Sequence, residues 1–336
     1  MTASILHASN TGWRPGRGCV PCLAGAYLER AVWPGVALAG ADVSRADFER
    51  ADLNRGDLRR ARARHACFRG ANLRGLSMKA IDAAGADFSS ADLRDVFADW
   101  ACLERADLTH ANVRCAVLKG ASLVGAKLTE ASLVGADLSR ADLSDARLTD
   151  ADFSNACLDS ACLAKLDLTQ VELSGASLNG TNMTGCNLQG VGLPEADFEG
   201  ANLTGADMTG SRLPDACLSD ADLRETGLAD IDWERADLRH ADLRGATFHA
   251  GSSRSGLVFS PIASEGTRTG FYTDEFGEQS YKAAEEIRKA NLRAADLRGA
   301  HIDGVDFYLV DLREALYDAN QERHFRRCGA ILESPL

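Results

Sequence analysis

A strict period of five runs through the chain from about Leu23 to Phe248 and constrains what it can fold into more than any other feature. Ala46-Asp47-Phe48-Glu49-Arg50 is followed by Ala51-Asp52-Leu53-Asn54-Arg55, and the pattern continues. The central residue of each five falls at Leu28, Trp33, Leu38 and every fifth position to Phe248, 45 positions without an insertion. All but Ala63, Ala83 and Ala98 are Leu, Phe, Met, Val or Trp, and the residue two before is Ala in 32 of the 45. Five matches neither the 3.6-residue helix nor the two-residue strand alternation. Two apolar places per five point inward and three stay wet, which describes a short extended piece ending in a tight turn. Gly recurs at the fifth place, as at Gly120, Gly125, Gly135 and Gly175, where a turn wants positive φ. A chain that turns a corner every five residues stacks as a solenoid in which each coil touches only its neighbours.

Vertical alignment sets the number of sides. With four fives per coil, residues 20 apart lie above one another, so Phe48, Phe68 and Phe88 stack, as do Thr109, Thr129, Thr149 and Thr169. Three sides would scatter the Thr series. Like residues on neighbouring strands favour the four-sided arrangement. Volume agrees: Ala63 precedes Phe68 and Ala83 precedes Phe88, while Ile81 and Val96 replace Ala beside Ala83 and Ala98. The tandem Ala-(Asp/Asn)-(Leu/Phe)-X-X resembles the pentapeptide-repeat proteins over about three quarters of the chain. The resemblance implies an all-β fold, a right-handed four-sided parallel β-helix. At a coil spacing of ~4.8 Å the 50 fives would span roughly 60 Å.

The expected organisation is a cap over residues 1–22, repeats over 23–249, a loop excursion over 250–289, the last repeats over 290–317, and a helical cap or dimer segment over 318–336. In the first of these, Ile5, Leu6 and Trp13 are suited to plug the open end. Cys19 and Cys22 have the spacing of half a zinc site but no partner pair, so no metal is assigned. Ten Cys without vertical pairing, and an N-terminus without an apolar signal core, fit a reducing cytoplasm. No run of apolar residues is long enough to span a membrane. The excursion contains Gly270-Phe-Tyr-Thr-Asp-Glu-Phe-Gly277, followed by a segment from Ser280 to Ala290 that reads as a short helix with Ser280 as N-cap. Beyond Tyr317 the pattern turns helical, and Tyr317, Phe325 and Cys328, with Ile331 and Leu332, would form a lid or, as the resemblance suggests, a dimer seam.

Charge is unevenly spread. Residues 41–80 carry ten Lys/Arg against five Asp/Glu, with Arg59, Arg60, Arg62, Arg64 and Arg69 crowded together. Nucleic-acid contact and a solvated face paired with neighbouring Asp both account for this; without interleaved aromatics, direct nucleic-acid binding is not expected. Residues 121–235 carry 20 acids against 7 bases. That is about one net negative charge per ~2 Å of stacked coil, against one per ~1.7 Å in B-DNA. Glu195, Asp197, Glu199, Asp215 and Asp220 are the densest acids, and Glu195 over Asp215 would raise each other's carboxyl pKa. Asp also suits the place beside a turn and keeps a rod soluble. Phe97 and Trp100 occupy wet places, with Val117 one coil above Phe97, and mark either a contact surface or a patch covered by an N-terminal arm.

No catalytic constellation appears: the seven His share no metal spacing, and the glycines recur as turns rather than as a phosphate cradle. The expected role is therefore a non-catalytic binding protein without cofactor or metal. The family resemblance implies that an acidic, duplex-like surface occupies the DNA-binding saddle of DNA gyrase or another topoisomerase and protects it from poisons or toxins. The alternative is a scaffold for another protein, holding it through Phe97 and Trp100 and through Tyr272, Asp274, Glu275 and Phe276 of the excursion. An enzyme with its site in that excursion is the third reading.

Overall fold

A computed structural model describes residues 22–248 and 290–332, and the backbone of 270–273 and 279–282. The chain divides into two compact units, Met1–Cys186 with Ala196–Ala201, and Asn187–Glu195 with Asn202–Leu336.

In the first unit the building block is visible in residues 46–50. Every one of its five N–H groups has a partner. Ala46 donates to the Val43 carbonyl at 3.0 Å, closing the preceding corner, and Asp47 donates to Ala26 O one coil below at 2.9 Å. Phe48 donates to Cys67 O one coil above at 2.7 Å, and Arg50 to Arg69 O above at 2.8 Å. The remaining donor, Glu49 N–H, bonds the side chain of Asp47 at 2.9 Å. This Asx turn is the physical reason for Asp or Asn in the second place. Second-place residues pair in parallel at a spacing of 20, as in Asp47↔Cys67 and Cys67↔Asp87, so four fives make a coil. The fifth place is left-handed whatever its residue: φ is 55° at Arg50, 56° at His65 and 57° at Trp100.

Inside, the rings of Phe48 and Phe68 stack at 5.1 Å and those of Phe68 and Phe88 at 5.0 Å. Ala63 and Ala83 are fully buried between these large layers. The Thr column holds through Thr149: His110 N–H reaches Thr129 O and Glu130 N–H reaches Thr149 O. The column then slips, since Asp150 N–H bonds Gln170 O rather than Thr169. The slip lies beside Leu166 and Val171, where side chains larger than Ala occupy the inward first place. Cys186 also takes an Ala place; its thiol donates to Leu163 O at 2.9 Å, and burial pushes its pKa up to about 11.

In the second unit the same ladder runs from Asn187↔Asp207 onward. Trp233 is fully buried and its indole N–H donates to Ser211 Oγ at 3.0 Å, which explains a Ser where Ala is usual. Gly227 pairs with Thr247, twenty residues on, but Asp232 pairs with Asn291 and Asp237 with Asp296, 59 residues on. Residues 251–289 thus enter at one corner and leave the stacking around it unchanged. Within them, β1 (Gly270–Thr273) pairs antiparallel with β2 (Gln279–Lys282), Phe271 opposite Tyr281. The helix expected from Ser280 is therefore wrong at its start: Ser280 to Lys282 form a strand, because a partner strand is available eight residues earlier. The rest of that expectation, residues 283–289, lies outside the described residues.

The last coils are closed by α1 (Ala319–Cys328), which ends at Gly329 with φ 81°. Gln321 accepts from Asp318 N–H at 2.8 Å and donates to Leu297 O and Ala300 O at 2.9 and 3.0 Å, reaching from the helix to the carbonyls of the coil end. Phe325 is fully buried edge-on to Phe307 and Tyr317, at 4.8 and 5.3 Å. Ile331 then rejoins the ladder opposite Asp311, one element more than a helical lid required. At the other end, the sequence places Cys22 in the cap, yet it already pairs with Asp42, while Ile5, Leu6, Trp13 and Cys19 lie outside the described residues.

The stacked ring column predicts a sharp contrast. Phe68→Ala should cost about 3–5 kcal/mol by leaving a gap between two rings. Phe97→Ala, at a wet place, should leave thermal stability within about 0.5 kcal/mol of the parent. Thermal unfolding of both variants, followed by far-UV circular dichroism, measures the difference.

Candidate binding surface

The wet places of a coil are three per side, the second, fourth and fifth, and charge occupies them differently along the chain. Where the five reads Asp-Leu-Arg, the guanidinium folds back onto its own Asp. Arg59 meets Asp57 at 2.6 Å, Arg94 meets Asp92 at 2.7 Å, and Arg224 meets Asp222 at 2.6 Å. Arg239, Arg244 and Arg298 hold Asp237, Asp242 and Asp296 in the same way. Other arginines reach across a coil, Arg64 to Asp82 at 2.7 Å and Arg69 to Asp87 at 2.9 Å. Three of the five crowded arginines are thus paired, and Arg60 and Arg62 form no ion pair with a described residue. The pairing with neighbouring Asp expected for the basic stretch is thus present at Arg59, Arg64 and Arg69, and the same Asp-Leu-Arg triplet marks neutralised sides elsewhere.

Between residues 131 and 201 the first unit is different. Its part of that stretch holds ten Asp/Glu against three Lys/Arg. None of these side chains is in an ion pair among the described residues, and the three bases, Arg140, Arg147 and Lys165, hold no acid. Asp145, Asp150, Asp167, Glu172 and Glu199 are exposed, while Asp137, Asp152 and Asp197 are half-buried, each accepting from a backbone N–H through one oxygen.

The acids singled out by sequence divide between the units. Asp197 and Glu199 belong to the first, with Asp197 accepting from Glu199 N–H at 3.2 Å. Glu195, Asp215 and Asp220 belong to the second, each exposed at a left-handed fifth place. The expected mutual rise of Glu195 and Asp215 fails for Asp215. Arg235 grips it with two bonds of 2.6 and 2.7 Å, and this hydrogen bonding holds its carboxyl below the usual range. Asp215 is neutralised, not surplus.

Phe97 and Trp100 are 52% and 57% exposed, on one side of the first unit. The Trp100 ring lies along Gly120, where a Cβ would run into it. Tyr272 stands in β1 opposite Ser280, and Asp274, Glu275 and Phe276 lie outside the described residues. Two features escaped sequence reasoning because they join residues far apart in the chain. Asp47, Glu49 and Cys67 bring donor atoms within 4.8 Å of one another, although burial pushes the Cys67 thiol up, away from the thiolate a metal takes. A cavity of about 160 Å³ between the last coil and α1 is lined by His301, Asp303, Asn320 and His324, with His324 Nε2 donating to Val305 O at 2.7 Å. No described helix is long and apolar enough to cross a membrane.

A family model described as Pentapeptide repeats (8 copies) matches residues 22–60, 38–75, 66–109, 101–140, 126–163, 151–190, 181–220, 216–250 and 288–315. Among solved structures the chain is similar to HetL, a pentapeptide repeat protein involved in heterocyst differentiation regulation in the cyanobacterium Nostoc sp. strain PCC 7120. The identity is 27% over 66% of this chain and 85% of that one, with a TM-score of 0.18. It is similar to full-length QnrB1, a plasmid-mediated fluoroquinolone resistance protein, with 16% identity over 88% and 98% and a TM-score of 0.20. A pentapeptide repeat protein of the Arabidopsis thaliana thylakoid lumen shows 33% identity over 38% and 68%, with a TM-score of 0.15. No curated protein matches by sequence. At these TM-scores the likenesses carry no argument about function.

The paired acids give the second unit an acid-sensitive end. Hydrogen bonds from Arg224, Arg239, Arg244 and Arg298 hold the carboxyls of Asp222, Asp237, Asp242 and Asp296 below their ordinary value. A carboxyl that is more acidic folded than unfolded stabilises the fold fully above the unfolded value and loses that contribution as pH falls through the folded one. Thermal stability should therefore be flat near neutrality and fall below about pH 4. Arg239→Gln with Arg298→Gln should flatten that acid limb, as a pH series of melting curves would register.

Proposed function

We propose that this chain, which belongs to the pentapeptide-repeat family, is a non-catalytic binding protein whose surplus acids stand in for the phosphates of a duplex at a basic, DNA-binding groove. The family resemblance implies a right-handed sense for its four-sided coil and supports DNA gyrase or another topoisomerase as the partner. The observation that carries the reading is the stretch between residues 131 and 201 of the first unit, where no acid is neutralised by a base among the described residues. Net charge there is −7 over about three coils, roughly 15 Å of stack, or one per roughly 2.1 Å, against one per ~1.7 Å in B-DNA.

The chemistry follows from rigid display. The second-place acids are fixed by their Asx bonds, so ordering them on binding costs little entropy. Rows of carboxylates one coil apart present acceptors to the Lys and Arg that otherwise hold phosphate. Such a surface steers a basic partner at long range and loses grip as salt rises. It has no scissile bond and no strand to pass, so a topoisomerase held by it is kept from damaged or poisoned DNA. Asp215 and the Asp-Leu-Arg sides take no part, because their charge is already met within the chain.

Purified gyrase at low salt tests this directly, by equilibrium binding and by a supercoiling assay. Binding should weaken by at least about tenfold between low and physiological salt. Glu172→Lys combined with Asp197→Lys and Glu199→Lys should abolish it, while Asp215→Asn changes it less than about twofold. Absence of binding to gyrase at low salt, or a triple reversal that binds like the parent, removes the proposal.

A further inference from the structure

One side of the first unit is ordered along its length in a way that none of the other sides repeats. Its second places climb in an unbroken parallel ladder from Asp57 through Phe97 and Val117 to Asp197. The lower rungs carry Arg59, Arg60 and Lys79 with Asp57, the middle rungs Phe97, Trp100 and Val117 with Asp99 and Lys119, and the upper rungs Asp137, Asp159, Asp197 and Glu199 with Arg140. Net positive, apolar and net negative stretches follow one another on a single surface.

The middle rungs are maintained against local preference. Phe97 and Val117 occupy the place where Asp or Asn caps the fourth N–H, and no described acceptor bonds Asp99 N–H or Lys119 N–H in its stead. Trp100 holds a bulky ring at φ 57° in a left-handed corner and remains 57% exposed. Three departures in adjacent rungs leave a patch that water covers poorly. Of the charges around it, Arg60, Lys79, Asp99, Lys119, Asp137, Arg140 and Asp159 form no ion pair with a described residue, although Asp137 caps Ser139 N–H and Asp159 accepts from Ser177 Oγ. Arg59 is the exception, tied to Asp57.

We propose that this side is an interface between two copies of the chain, packed antiparallel about a two-fold axis lying between the rungs of Phe97 and Val117. An axis in the plane of contact and across the stack reverses the order of rungs but keeps each column facing itself. Phe97 then meets the partner's Val117, and the Trp100 ring, lying over its own Gly120, comes opposite the partner's Gly120 with the partner's Trp100 ring over it. Asp99 meets the partner's Lys119, and Lys119 meets the partner's Asp99. The basic rungs of Lys79 and Arg60 come opposite the rungs of the partner's Asp137 and the partner's Asp159. Each contact occurs twice, as a self-complementary interface demands. A parallel pairing would set basic rungs on basic rungs, and the charges exclude it. Six rungs overlap, about 24 Å of stack. Asp197, Glu199 and the acids of the other three sides stay outside, so the pairing takes up Asp137 and Asp159 and leaves eight of the ten acids of the duplex-like surface free.

Sedimentation equilibrium of the full chain over a concentration series tests the interface. The parent should move from monomer to dimer mass, less readily in high salt. Lys119→Asp alone sets like charges against each other and should weaken association at least about tenfold, whereas Asp99→Lys with Lys119→Asp should restore it. Phe97→Asn restores the missing turn acceptor, so it should raise the thermal midpoint and still leave the chain monomeric, an outcome no folding defect produces. A parent that stays monomeric overturns the proposal. So does a dimer indifferent to Phe97→Asn, which would place the contact elsewhere, the C-terminal end included. Equal behaviour of the single and double charge variants overturns the pairing as well.

Discussion

The closure of every backbone donor within a five-residue unit is the constraint from which the rest follows. A corner every five residues breaks strand pairing, and an unbonded N–H at each corner would accumulate at a cost no small core could offset. Here the corner's first donor turns back on the central carbonyl, three donors join coils above and below, and the fourth takes a side-chain carboxylate or amide. The fifth residue must then be left-handed for its N–H to point along the stack. For a residue with Cβ that conformation costs on the order of 1–2 kcal/mol, and Arg, His, Asp and Trp bear it repeatedly because the ladder bond it aims is gained each time.

This accounting changes what acidity means in such a chain. An Asp in the second place is first a turn-former, so counting acids overstates the charge available to a partner. What separates sides is the residue two positions on. Arg there bends back and neutralises the carboxylate; Ser or Thr there only shares it, as Ser144 and Ser154 do with Asp142 and Asp152. The surplus lies in the first unit between residues 131 and 201, where Ser and Thr follow Asp and arginines are few. By the same logic Phe97 and Val117 stand out because an apolar side chain fills the place from which Asp57 and Asp137, on the same side, cap a backbone N–H.

The architecture was legible because a fixed period multiplies weak signals. The alignment of Phe48, Phe68 and Phe88 needed only the number twenty, and the stacked rings confirm it. The spacing of Tyr281, Ala284 and Ile287 suggested a helix, but a short apolar pattern does not separate helix from strand, and the pairing partner of β2 decided the matter. The surface was less legible. Glu195 above Asp215 was correctly placed by register, yet the outcome turned on the rotamer of Arg235, twenty residues from Asp215. Register fixes which columns are neighbours; it does not say which way a long side chain leans. The convergence of Asp47, Glu49 and Cys67 was hidden for a related reason, since it joins two columns on successive coils.

The corner at which residues 251–289 enter has a kinetic meaning. Elsewhere a new coil closes a contour of 20 residues, but Asp232 waits for Asn291 across 59. By loop-closure scaling that difference adds about 1 kcal/mol to the entropy of docking the next rung. A solenoid otherwise zips from any nucleus, so this step is the pause in an even sequence of additions. Until it is passed, the hydrophobic end of the preceding coil stays open, and the coils that carry α1 cannot seal it. The register survives an insertion of any length there, but the speed of completion does not, which makes this corner the point of the molecule most exposed to mispairing while it folds.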